Sequence, residues 1–121
     1  MQAAEANKDA MLDTPQRRRP AECPVEDWLA FLGHRWNALV LWHLKDGAKR
    51  HRELADRLPG VSPKVLSERL HSLEKRGLVL RSTIATFPRG VTYALSTRGE
   101  QLVRILDQIE IWSATAGRNR P

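Results

Sequence analysis

The sequence predicts a small α+β domain, mostly helical, and three observations carry that expectation. Apolar residues recur at three- and four-residue spacing, as in Leu66, Leu70 and Leu73, which is the period of a helix with one buried side. Between residues 78 and 95 the texture changes to β-branched and aromatic residues around Phe87-Pro88-Arg89-Gly90, the mark of a hairpin. A chain of 121 residues with 41% hydrophobic content can bury one core but not two.

Residues 1–22 read as a flexible arm, because they lack apolar periodicity and carry Pro15, Pro20 and the run Arg17-Arg18-Arg19. The arginine run is either solvated or an extra phosphate contact. Order is expected from residue 23 to 116, with 117–121 as a tail. Pro24 suits a first helical turn, Glu26 and Asp27 place negative charge at the positive end of the helix dipole, and Gly33 stops the helix. Trp28, Leu29, Phe31 and Leu32 form its apolar side. A second helix is expected from Arg35 to Lys45, burying Trp36, Leu39, Val40 and Leu44, with Asp46-Gly47 as the turn after it.

Ala48 to His51 reads as a short strand and Glu53 to Leu58 as a third helix ended by Pro59-Gly60. Ser62-Pro63 is a strong helix start, with a serine N-cap and proline in the first turn. From there to Arg76 the leucines face inward. Lys64, Glu68, His71 and Lys75 fall on the opposite side, flanked by Ser67 and Ser72, and Gly77 ends the helix. Strands at 78–86 and 91–95 follow. Ser96 caps a long last helix whose stripe is Leu102, Ile105, Leu106, Ile109 and Trp112.

The order is therefore helix, helix, short strand, helix, helix, hairpin, helix: a winged helix-turn-helix. A helix fits the major groove of duplex DNA when its outer face is polar, its inner face is anchored and its start lies near phosphates. The segment from Ser62 to Lys75 meets those conditions. Ser62 and the amides behind Pro63 suit a phosphate, Lys64 lies one turn in, and Ser67, Glu68 and His71 carry groups that read base edges. Arg89 on the hairpin tip suits the neighbouring minor groove or the backbone. The alternative at this point is an ordinary solvated face of a small domain.

Charge favours the groove. The net charge is +6, and residues 45–98 hold twelve Lys or Arg against five Asp or Glu, so the positive field belongs to the middle of the chain. No nucleophile is paired with a base, and no Gly-rich phosphate loop or metal-ligand spacing occurs, so no enzyme and no cofactor is expected. The apolar runs are too short for a membrane span, and Met1 to Glu22 lacks a secretory pattern. The one cysteine fits a reducing compartment, so a cytoplasmic location is expected.

Several segments resemble the HxlR-type regulators: Cys23-Pro24-Val25, Gly33-His34-Arg35-Trp36, Leu58-Pro59-Gly60-Val61-Ser62, Val65-Leu66-Ser67-Glu68-Arg69-Leu70, Leu73-Glu74-Lys75-Arg76-Gly77-Leu78-Val79 and residues 88–99. The resemblance spans about residues 23–112, collinearly and at the right separations. It implies a MarR-like homodimer, joined through its first and last helices, that binds operator DNA and regulates nearby genes. Trp28, Leu29 and Leu32, with Leu102, Leu106, Ile109 and Trp112, are the candidate dimer interface. Some members sense quinones, hypochlorite or other electrophiles through a cysteine at the start of the first helix, which makes Cys23 a candidate redox sensor. The alternatives are a structural cysteine and a regulator of a non-covalent ligand. The four tryptophans read mainly as core, with a ligand pocket at the dimer junction as the other reading.

The chain departs from the family where His51 and Arg98 replace usual apolar residues and Thr92 a usual acidic one; none of them is expected to touch the recognition helix, so the departures bear on local packing and not on DNA binding. Arg69 lies toward the helix flank, suited to an internal ion pair or to DNA. Two other functions remain: a winged helix used only for protein contact, which would not need Lys64 and Arg89, and RNA binding, disfavoured by the lack of exposed stacking aromatics.

Overall fold

A computed structural model describes residues 24–118. The elements are α1 (Pro24–Leu32), α2 (Arg35–His43), β1 (Lys49–Arg50), α3 (His51–Arg57), α4 (Pro63–Lys75), β2 (Val79–Ile84), β3 (Gly90–Leu95) and α5 (Thr97–Arg118). The chain is α+β and mostly helical, with the expected order of elements. Cys23 and the arm before it lie outside the described residues.

Helix α1 belongs to a unit of its own, separate from the unit that begins at Gly33. Within it Trp28 meets Phe31 edge-to-face, with ring centroids 5.8 Å apart. Val25 and Leu29 are exposed.

From Gly33 onward the core is made of leucines and valines from every layer. Val40, Leu41 and Leu44 come from α2 and its C-cap, Leu54 and Leu58 from α3, and Leu66, Leu70 and Leu73 from α4. Leu78 and Val79 enter from the start of the sheet and Val103 from α5. Each such side chain contributes roughly 1.5–3 kcal/mol by leaving water. The face that α2 buries differs from the expected one: Asn37 and Leu41 are buried where Trp36 and Leu39 were expected, and Leu39 is 38% exposed. None of the four tryptophans is fully buried, and Trp112 is the most open of them.

The sheet has three antiparallel strands in the order β1-β3-β2. Strands β2 and β3 pair from Val79 with Leu95 to Ile84 with Gly90, and β1 adds two pairs, Lys49 with Tyr93 and Arg50 with Thr92. His51 was expected in the short strand; it is instead the first residue of α3. The reason is local, since the Glu53 carboxylate accepts from the Arg50 amide at 2.7 Å and turns the chain into a helix there.

Helix α4 begins where Ser62 Oγ accepts from the Val65 amide at 3.1 Å, with Pro63 next. It stops at Gly77, whose φ of +77° is a left-handed conformation suited to glycine, as the Leu78 amide bonds back to Leu73 O at 3.0 Å. Ser96 joins three elements. Its hydroxyl donates to Gly77 O at 2.6 Å and accepts from the Gly99 amide at 3.0 Å, fixing the start of α5 against the end of α4.

Candidate nucleic-acid interface

The outer face of α4 is polar because its leucines are occupied. Leu66, Leu70 and Leu73 are at most 1% exposed, which fixes the helix about its axis and turns Lys64, Ser67, Glu68, His71 and Lys75 to solvent. Ser62 and Pro63 are exposed at the N-terminal end. Thirteen residues at about 1.5 Å each give a rod of about 20 Å, narrow enough for a groove about 12 Å wide. The expected reading face is thus one continuous surface. Arg69 departs from it: half-buried, it donates to Oδ1 of buried Asn37 at 3.4 Å and so ties α4 to α2.

The hairpin carries Arg89 at its exposed tip, beside Phe87, which is 95% exposed. The peptide bond between Phe87 and Pro88 is cis. Two residues that the sequence did not mark as functional hold this region. The Arg50 guanidinium donates to Pro88 O at 3.1 Å and to Arg89 O at 3.3 Å, so a side chain from the sheet edge grips the wing tip. Contrary to expectation, His51 touches α4: its Nε2 lies 3.1 Å from Ser67 Oγ and 3.3 Å from Pro63 O, because the helical start at His51 turns the ring toward the first turns of α4. The basic run Arg50-His51-Arg52 between apolar segments was the available signal, but strand register and helix crossing decide where such side chains go.

The expected dimer residues of α5 form an exposed band. Ile105, Ile109 and Trp112 are 58%, 55% and 70% exposed, and Leu102 and Leu106 are half-buried. Beside the band, Ala38, Leu39, Trp42, Leu106, Ile109, Glu110 and Ser113 line an open groove of about 370 Å³ between α2 and α5. On α1, Leu29 is exposed while Trp28 and Leu32 are half-buried. The candidate sensor Cys23 lies outside the described residues. None of the helices described is long and apolar enough to cross a membrane.

Residues 31–120 match the HxlR-like helix-turn-helix family. The chain belongs to the HxlR family. It is 36% identical over 92 residues to the HTH-type transcriptional regulator YodB of Bacillus subtilis, covering 75% of this chain and 82% of YodB. The reduced form of YodB superimposes with a TM-score of 0.69, over 75% of this chain and 90% of that one. The redox regulator HypR in its oxidised form gives 0.70 at 32% identity, over 82% and 99%. Structures described as MarR-family regulators also match, one from Enterococcus faecalis V583 at 27% identity with a TM-score of 0.72, over 88% and 94%. This HxlR chain is a transcription regulator with a winged helix-turn-helix fold, and not an enzyme.

Proposed function

We propose that this regulator binds duplex DNA as a homodimer, with α4 in the major groove and the wing beside it. The observation that carries the reading is the continuous exposed face of Lys64, Ser67, Glu68, His71 and Lys75, backed by three buried leucines, together with an exposed Arg89 at the hairpin tip. Ser62, Lys64 and the backbone amides behind Pro63 hold the phosphates, Ser67, Glu68 and His71 read base edges, and Lys75 and Arg89 add positive charge at the two margins. Two-fold symmetry then requires a near-palindromic operator with half-sites about 10 bp apart or a multiple of that. The test is a salt titration of operator binding with wild type and Lys64→Ala. Loss of one phosphate contact lowers the salt slope by about one and weakens binding on every sequence. Unchanged affinity and slope would remove α4 from the interface.

The homodimer rests on apolar area. Ile105, Ile109 and Trp112 on α5 and Leu29 on α1 are each more than half exposed, and exposed large apolar side chains grouped on one helix face mark an interaction surface. A second copy covers it symmetrically.

The signal is assigned to Cys23. Support comes from relatives: one structure of YodB is quinone-bound, and HypR has both oxidised and reduced forms. In sequence Cys23 immediately precedes Pro24, the first residue of α1, and a helix N-terminus favours a thiolate beside it. The thiolate adds to the electrophilic carbon of a quinone, forming an S–C bond while the quinone takes up the proton. Release of wild type but not of Cys23→Ser from DNA by a quinone is the expected result, and release of both would exclude Cys23. A non-covalent ligand remains the second reading, favoured by the open groove between α2 and α5.

A further inference from the structure

We propose that His51 sets the hydrogen-bond polarity of Ser67, making this serine a donor toward DNA that selects a base edge presenting an acceptor. The inference rests on the reading of α4 as the groove-binding helix and adds which way one of its contacts points.

His51 Nε2 has two neighbours, Pro63 O at 3.3 Å and Ser67 Oγ at 3.1 Å. A backbone carbonyl only accepts. We therefore assign the proton to Nε2, since a bare nitrogen facing the carbonyl would set two lone pairs against each other. The proton is shared between the two oxygens, so Ser67 Oγ accepts from the ring. A protonated imidazolium also donates from Nε2, and the polarity is the same in either state.

The hydroxyl hydrogen of Ser67 then needs another acceptor. A serine inside a helix commonly donates to the carbonyl four residues back. For Ser67 that carbonyl is Pro63 O, the one His51 already engages. Ser67 is exposed on the outer face of α4, so its hydrogen is left for the groove. There the acceptors are purine N7, guanine O6 and thymine O4, whereas adenine N6 and cytosine N4 are donors. Ser67 accordingly favours guanine, thymine or adenine, each with an acceptor on its edge, over cytosine, whose edge presents only a donor. His51 is a positioning residue for that choice.

The test uses the full chain and binding-site selection from a randomised duplex library, followed by affinities on single-pair variants of the selected site. Wild type should prefer an acceptor-bearing base at one pair of each half-site by roughly fivefold to tenfold, the size of one hydrogen bond. Ser67→Ala, His51→Phe and the double variant should flatten the preference at that same pair, with the double no worse than either single. The salt slope should stay unchanged, and His51→Gln, which keeps a donor, should retain the preference. Should phenylalanine cost stability, His51→Ala carries the same comparison.

Retention of the preference in both His51→Phe and His51→Ala, or cytosine, whose major-groove edge offers only a donor, preferred at the pair that Ser67→Ala flattens, would overturn the proposal. So would a Ser67→Ala profile identical to wild type at every pair. The wider reading fails separately, through a Lys64→Ala variant that binds like wild type.

Discussion

The Arg50 guanidinium occupies the space that a Cβ on Gly90 would need. The glycine lets an arginine from the sheet edge cross β3 and reach the carbonyls of Pro88 and Arg89. Gly90→Ala should push the guanidinium aside. The displaced atoms are the far end of a flexible side chain, so the fold should survive with a melting temperature within a few degrees of wild type. Operator affinity should fall about threefold to tenfold, since the lost bonds only position the wing and do not touch DNA, with base preferences under α4 unchanged. Arg50→Ala should match it, and Gly90→Ala combined with Arg50→Ala should be no worse than either. Wild-type affinity in Gly90→Ala would show that wing position does not depend on this contact.

Gly99 poses the opposite case. A Cβ there would meet the backbone carbonyl of Leu78, which already accepts from the Ser96 amide at 2.9 Å. Neither backbone can yield without moving α5 off the end of α4. Gly99→Ala should therefore lower stability by about 1–3 kcal/mol, read as a fall in urea midpoint at unchanged m-value. A midpoint equal to wild type would mean that the first turn of α5 shifts freely.

Helix α4 was legible in the sequence because every signal for it is local: Ser62-Pro63 at one end, Gly77 at the other, and leucines at helical spacing between. The buried face of α2 was not. Asn37 shares a helical face with Val40, Leu41 and Leu44, but a polar side chain gives no apolar signal; it is 1% exposed and accepts from Arg69 of α4, a partner 32 residues away. His51 shows the same limit. Its sequence neighbours read as a strand, and the bond from the Arg50 amide to Glu53 begins a helix instead. The outward face of α4 was thus visible beforehand, while Arg50, which holds the wing tip, and His51, which reaches α4, depended on non-local register.

The band on α5 gives a prediction about assembly. Ile109 is 55% exposed, so Ile109→Asp should leave the isolated fold intact while setting a charge in the proposed interface. Sedimentation should show a dimer for wild type and a monomer for the variant at micromolar concentration. Operator affinity should drop by at least tenfold, because two half-sites are then no longer held together. A variant that stays dimeric would move the interface elsewhere.

His43, at the end of α2, links charge to pH. Burial lowers its pKa from the ordinary value of 6.5, Arg57 lowers it further, Lys49 and Lys45 act the same way, and Asp46 opposes them. The folded chain therefore holds this proton less tightly than the unfolded chain. Above 6.5 both states are neutral at His43 and the group has no effect on stability. As pH falls below 6.5 the unfolded state takes up the proton first, so stability declines until the folded pKa is reached and then levels off for this group. His43→Gln should remove that decline. Measured as melting temperature from pH 7.5 to 5.0, the gap between wild type and variant should change across the interval in the variant's favour. A constant gap would show that His43 titrates alike in both states.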